Sequence, residues 1–145
     1  MNNPGIYSLG DATVAAAVTD EVITSGVSSA NVAQEFIDRL EGALAVTLFC
    51  DFVYGSGGTA VKVDIETWFT GSIWVPIARF AFTTASARKI MSVSGLTARL
   101  SAATPSTLSD DTALDGCLGP RLRAKITSTG TYAGNTSVSV RASMR

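Results

Sequence analysis

The sequence contains no histidine among its 145 residues. Histidine is the commonest general base in enzymes and a frequent metal ligand, because its side chain titrates near neutral pH. Its absence excludes Ser–His–Asp and Cys–His triads and histidine-containing zinc sites. Catalysis by lysine or by carboxylates remains formally open, but nothing in the sequence favours it, so we expect that the protein is not an enzyme.

Charged residues and cysteines are also scarce. Charged side chains make up 16% of the chain, against about 25% in an average globular protein. A surface with so little charge is typical either of a Ser/Thr-rich β-sandwich or of a protein that is covered by a partner or by copies of itself. Two cysteines are too few for a disulfide framework in a chain of this size, so Cys50 and Cys117 are predicted to be free thiols.

Long apolar runs are missing as well. No stretch approaches the roughly 18 uninterrupted apolar residues of a membrane span. The N-terminus, MNNPGIYSLG, lacks the basic and apolar regions of a signal peptide. We therefore expect a soluble protein that is made in a cytoplasm and has no membrane partner.

What the chain does contain is a strong β-strand pattern. Apolar and polar residues alternate over residues 59–69, 121–127 and 137–144, whereas residues 44–54 are apolar on one face and mixed on the other. About eight strands without intervening helices result, which predicts an all-β fold: an antiparallel β-sandwich or jelly roll.

A glycine-rich segment and a single proline refine this pattern. Residues 55–58, Gly-Ser-Gly-Gly, are predicted to close a hairpin. Pro76 would interrupt a ladder, so its strand is expected at a sheet edge or a bulge. Trp74 is predicted to share the apolar face of that strand with Phe80 and Phe82.

The N-terminal segment differs from the rest. Residues 1–12 combine Asn, Pro and Gly with Ile6, Tyr7 and Leu9, and they are predicted to form an N-terminal arm. Such an arm could dock on its own domain or on a neighbouring copy. Residues 13–145 are then expected to form a single β-sandwich domain.

Four further segments have less regular patterns. Short strands are expected near residues 13–18 and 22–24. Residues 32–43 fit either a short helix or a strand followed by a loop, and we favour the strand. Residues 104–115 are rich in Pro, Ser, Thr and Asp and are predicted to form a long loop.

Two groups of carboxylates could support chemistry. Asp64 and Glu66 point to the same side of one strand and could act as a glycosidase pair, although a solvated strand face is the expected explanation. Asp110, Asp111 and Asp115 lie in one loop and could bind calcium, but their spacing is not that of an EF-hand and a capped helical turn explains it equally well. We therefore assign no catalytic, cofactor-binding or metal-binding residue.

Acidic and basic residues are unevenly distributed along the chain. Residues 1–70 have a net charge of −7 and residues 71–145 a net charge of +6. Because the halves of a sandwich interleave, this distribution predicts pairing between neighbouring strands. The alternative is an acidic face and a basic face that attract neighbouring copies.

The basic strand face formed by Arg121, Arg123 and Lys125, together with Arg141, could be an interface. It could contact phosphate, but it lacks the interleaved aromatic residues of a single-strand binder, so nucleic acid is not an expected partner. We prefer acidic residues of the same or of a neighbouring subunit as its partners. Together with the arm, this gives the candidate interface residues Ile6, Tyr7, Leu9, Arg121, Arg123, Lys125 and Arg141.

Four phrases of the sequence resemble a known class of proteins. GGTAVKV (57–63), WVPIARFAFTT (74–84), LGPRLRAK (118–125) and TGTYAG (129–134) follow one another in an order that resembles small structural proteins of tailed phages. Among these, the chain is similar to capsid cement (decoration) proteins, which are compact β-sandwich or jelly-roll modules.

The resemblance implies a function without catalytic residues, since the family has none. It implies a virion protein that binds the outside of a capsid in many copies, often as trimers, and stabilises contacts between major capsid protein subunits. Its partners would be the major capsid protein and further copies of itself. A tail, connector or fibre module of the virion remains open, as does a carbohydrate-binding or adhesive β-sandwich that uses Trp68, Phe69 and Trp74.

Overall fold

The computed structural model describes residues 4–24, 26–27 and 33–145. Its strands are β1 (Gly5–Thr13), β2 (Val18–Val22), β3 (Gly26–Val27), β4 (Ala33–Gln34), β5 (Ala45–Val53), β6 (Ser56–Gly57), β7 (Ala60–Thr70), β8 (Ile73–Phe82), β9 (Ala87–Ser94), β10 (Thr112–Ala113), β11 (Arg121–Thr129), β12 (Tyr132–Ala133) and β13 (Ser137–Met144). None of the described residues is helical. The predicted all-β fold is confirmed.

Eight strands of five or more residues build two antiparallel sheets that pack face to face. The four-stranded sheet has the order β1-β13-β5-β9, and the five-stranded sheet has the order β10-β8-β7-β11-β2. Among the long strands, only β7 and β8 follow one another within a sheet; every other connection crosses between the sheets. This interleaved order is consistent with a jelly roll.

The core lies between the inner faces of the two sheets. Because successive side chains of a strand point to opposite faces, every second residue of β5, β11 and β13 is buried. The fully buried side chains include Leu48, Phe52, Val63, Ile65, Phe80, Leu122 and Val140. The alternation predicted for 59–69, 121–127 and 137–144 is therefore confirmed on its apolar side.

Residues 55–58 do not close a hairpin, as the sequence predicted. They connect β5 of the four-stranded sheet to β7 of the five-stranded sheet, and within them β6 pairs with β12. Gly58 has a φ of +70°, and a Cβ atom at this position would lie 2.2 Å from the ring of Tyr132. The glycines therefore allow a close approach between two connections rather than a tight turn between neighbouring strands.

Strand β8 contains the bulge that Pro76 predicted. Ile65 pairs with Ala78 and Glu66 pairs with Pro76, so Ile77 is an extra residue on β8. The bulge shifts the alternation by one residue. Trp74 consequently lies on the outer face of the sheet, and its predicted place on the core face is wrong.

Most of the segment predicted as an arm belongs to the sandwich. Residues 5–12 form most of β1 and pair with β13, so here the segment docks on its own domain; residues 1–3 are outside the described part. The strand expected near 13–18 is wrong, because residues 14–17 connect β1 to β2. No helix forms over residues 33–43, where β4 and a bridge between Ile37 and Leu122 occur instead.

Candidate functional site

The outer face of the five-stranded sheet carries many charged side chains, most of which form ion pairs with one another. We call it the ion-paired face; its members on β7, β8 and β11 are Asp64, Glu66, Arg79, Arg121, Arg123 and Lys125. The Nε and Nη2 atoms of Arg79 donate to the two carboxylate oxygens of Asp64, each at 2.7 Å. Arg123 Nε donates to Glu66 at 2.7 Å, and Lys125 Nζ lies 3.6 Å from the same carboxylate oxygen.

The two carboxylates of this face are buried, so the expected solvated strand face is wrong. Asp64 is 8% exposed and Glu66 is 7% exposed. The register places each of them directly opposite an arginine, Asp64 beside Arg79 and Glu66 beside Arg123. The long arginine side chains lie over the acids, and the hydrogen bond that Arg79 donates to Asp64 raises the pKa of Arg79. Both carboxylates are thus neutralised by structural partners rather than available as an acid/base pair.

Aromatic rings cover the arginines at one end of this face. The guanidinium of Arg121 lies 4.1 Å from the ring centroid of Trp68 and 4.9 Å from that of Phe36. Arg123 lies 4.2 Å from the centroid of Trp74. These cation–π contacts were missed in the sequence because the rings come from β7, β8 and an earlier segment, and not from β11 itself. The candidate basic interface is therefore occupied by groups of its own chain.

The same contacts bear on the aromatic residues considered for sugar binding. Trp68 and Trp74 each have one ring face covered by an arginine, and Trp68 Nε1 donates to the carbonyl of Gly71 at 2.8 Å. Phe69 is 46% exposed. The three rings therefore do not form one open platform of the kind that stacks on a sugar.

The three aspartates of the loop before β11 turn towards different partners. Asp110 pairs with Lys62, and Asp111 lies 2.7 Å from Lys89 Nζ. Asp115 accepts a hydrogen bond from the backbone N–H of Ser94 at 2.6 Å. Within the described part of the chain, no three acidic or cysteine side chains are grouped as metal ligands would be.

The candidate interface residues of β1 differ in their exposure. Leu9 is completely buried and belongs to the core, so its side chain is not available at the surface of a single chain. Tyr7 is half-buried and packs against the core. Ile6, in contrast, is 76% exposed. It shares the outer face of the four-stranded sheet with Arg141, while the other three candidates lie on the opposite side of the sandwich.

The outer face of the four-stranded sheet combines serines with two acidic and two basic residues; we call it the serine face. The strand register arranges its side chains in three rows across β1, β13, β5 and β9, namely Ile6–Ser143–Thr47–Ser92, Ser8–Arg141–Phe49–Ile90 and Asp11–Ser139–Asp51–Arg88. Ile90 is 66% exposed. A groove of about 320 Å³ lies between Ile6, Thr47, Phe49, Ile90, Arg141 and Ser143. The sequence indicated this face only through the mixed composition of one side of β5.

A third surface is the end of the sandwich where β1 begins and β13 ends. We call it the apolar end, because several of the large apolar side chains exposed on the molecule lie there: Leu44, Phe69, Ile73, Leu96 and Leu100. They belong to the turn of the β7–β8 hairpin, the start of β5 and the long loop after β9. A hydrogen bond of 2.8 Å from Gly95 N to the carbonyl of Leu44 joins two of these segments.

The long loop after β9 also borders a groove at the apolar end. The groove has a volume of about 310 Å³, and its lining includes Val75, Leu100, Pro105, Leu114 and Cys117. Leu100 is 95% exposed. An exposed apolar loop beside an apolar groove is a surface that gains free energy when a partner covers it.

Both cysteines are free, as predicted. Burial raises the pKa of the Cys50 thiol to about 12, and it raises the pKa of the half-buried Cys117 thiol as well. Neither thiol therefore has the lowered pKa of a nucleophilic cysteine.

The sequence matches no protein-family model and no curated protein. In the described part of the chain, no helix exists that could span a membrane.

Proposed function

We propose that this protein is a virion structural protein that binds the outside of a phage capsid and cements neighbouring major capsid protein subunits. The observation that supports the proposal best is the apolar end: Leu44, Phe69, Ile73, Leu96 and Leu100 are exposed together on a sandwich whose surface has little charge. The proposal also rests on the resemblance to cement proteins.

A cement protein needs a large contact area of complementary shape that the symmetry of the capsid repeats, and it needs no reactive group. Most large apolar residues of a globular protein are buried, so a group of them at one end favours a protein partner there. Serine, threonine and alanine cost little free energy to desolvate compared with charged residues. In this proposal the apolar end faces the capsid shell.

The copy number per particle tests the proposal. Particles purified from the producing host are analysed by quantitative mass spectrometry against the major capsid protein. A cement protein is expected at a copy number comparable to that of the major capsid protein. A copy number as low as that of one small ring of subunits would support the tail or connector alternative instead. Absence of the protein from the particles would contradict both.

A pair of variants tests the assigned surface. Leu100→Asp places a charge at the apolar end, and we expect it to lower the occupancy of the capsid strongly. Ala85→Asp is the matched control, because Ala85 is exposed in the turn between β8 and β9 at the opposite end of the sandwich. Equal occupancy of the two variants would contradict the assignment of the apolar end as the docking surface.

A further inference from the structure

Two properties of the serine face indicate what kind of partner it can bind. Its charged residues are two acids and two bases, so the face as a whole has no net charge. Its centre contains the apolar groove beside Phe49 and Ile90. A neutral face with an apolar centre does not fit nucleic acid or a strongly charged protein, but it fits another neutral face.

Two of the four charged residues of this face lie at its two edges. In the row Asp11–Ser139–Asp51–Arg88, the acid of β1 and the base of β9 occupy opposite ends. The Asp11 side chain is 60% exposed although it pairs with Arg141, and the Arg88 side chain is 74% exposed although it lies 3.4 Å from Asp51. Both groups therefore retain oxygens and N–H groups that can bind a second partner.

We propose that two copies of the chain pack serine face against serine face, about a two-fold axis that runs along the strands. Such an axis reverses the order of the strands but preserves the position along them. Strand β1 of one copy then lies over β9 of the other, and the symmetry forms every contact twice.

This arrangement makes the face complementary to itself. Asp11 of each copy lies opposite Arg88 of the other, which gives two ion pairs at the edges of the interface. Arg141 lies opposite Phe49 of the second copy, in reach of a cation–π contact at the apolar groove. Sheets that pack face to face in this way are common in β-proteins. Like charges at the two edges would not have this property, because the axis would then place them opposite each other.

Charge reversal tests the proposal on the full-length chain. Asp11→Arg places two like-charged pairs in the dimer, and so does Arg88→Asp. For each variant we expect the dissociation constant of the dimer to rise about tenfold or more, measured by sedimentation velocity over a range of concentrations. Circular dichroism verifies that each variant keeps its β structure.

Mixing the two variants separates this arrangement from a general loss of stability. In a mixed dimer, Arg at position 11 faces Asp at position 88, and the unchanged Asp11 faces the unchanged Arg88. The mixture is therefore expected to form mixed dimers as tightly as the wild-type chain, although each variant alone dimerises about tenfold or more weakly and its strain within the chain is unchanged. Failure of the mixture to dimerise would overturn the two-fold arrangement.

The apolar centre is tested by Ile90→Ser, with Leu100→Ser as the matched control outside the face. We expect Ile90→Ser to weaken the dimer and Leu100→Ser to leave it unchanged. A wild-type chain that stays monomeric at high concentration would overturn the proposal. These measurements need no capsid, so their outcome is independent of whether the protein is a cement protein.

Discussion

Replacing Glu66 with glutamine tests the internal pairing of the ion-paired face. The carboxylate is 7% exposed, and it neutralises Arg123 at 2.7 Å and Lys125 at 3.6 Å. Glutamine has nearly the same shape, but it removes the negative charge beside Arg123 and leaves Lys125 with Asp20 at 3.9 Å. Loss of one partner from a buried ion pair costs about 3–5 kcal/mol. Since the side chains of Arg123 and Lys125 are 19% and 18% exposed and keep some solvation, we expect about 2–3 kcal/mol.

The assay is urea denaturation at neutral pH, followed by circular dichroism, with Glu41→Gln as the matched control. Glu41 is exposed in a turn, so its replacement is expected to change the free energy of unfolding by less than about 0.5 kcal/mol. If Glu66→Gln costs no more than Glu41→Gln, the carboxylate is solvated in solution and the argument for a neutralised face is refuted.

Three further predictions concern the stability of the fold in acid, the reactivity of a buried thiol and the conformation of a glycine. Burial raises the pKa of Asp111, but hydrogen bonds from Lys89 and a backbone N–H, together with nearby positive charges, outweigh it, so the folded pKa is lowered from 3.8. The stabilisation that this shift provides is lost as the pH falls through the folded pKa. In acid-urea titrations below about pH 4, Asp111→Asn should therefore lose less stability than the wild-type chain. Cys50, with its pKa near 12, should react with a thiol reagent at pH 8 only after unfolding, and modification of the native chain would contradict its burial. Gly58→Ala should destabilise the fold by more than Gly71→Ala in thermal melts, because both have positive φ but only at Gly58 would a Cβ overlap a buried ring; the strain at Gly71 alone is about 1–2 kcal/mol.

The sequence predicts the strands and their buried sides well. In β11, Leu122, Ala124 and Ile126 are at most 3% exposed, as their alternation indicated. In β5, Leu48 and Phe52 are fully buried for the same reason. These predictions succeed because the two-residue period of a strand is a local property that one sheet face in contact with a core imposes directly on the sequence.

The neighbours of each strand could not be predicted in this way. The glycines at 55–58 indicate a sharp change of direction, but whether the next strand pairs with the last one depends on the whole topology. The same limit explains the incorrect prediction for Asp64 and Glu66. Their outward position followed from the alternation, whereas their burial depends on arginines from β8 and β11 that the register places opposite them.

The uneven charge of the two halves of the sequence explains both outer faces. The four-stranded sheet alternates strands of the acidic half, β1 and β5, with strands of the basic half, β13 and β9. Acids and bases are therefore neighbours, as in the pairs Asp11–Arg141 and Asp51–Arg88, and the predicted pairing between strands is confirmed. Because four alternating strands must end on opposite halves, one edge of the serine face is acidic and the other basic. In the five-stranded sheet, β7 of the acidic half lies between β8 and β11 of the basic half, so its carboxylates are enclosed by the arginines of both neighbours. On the serine face, in contrast, the side chains of Asp11 and Arg88 at opposite edges are 60% and 74% exposed and can bind a second copy, which is why we assign self-association to the serine face and not to the ion-paired face.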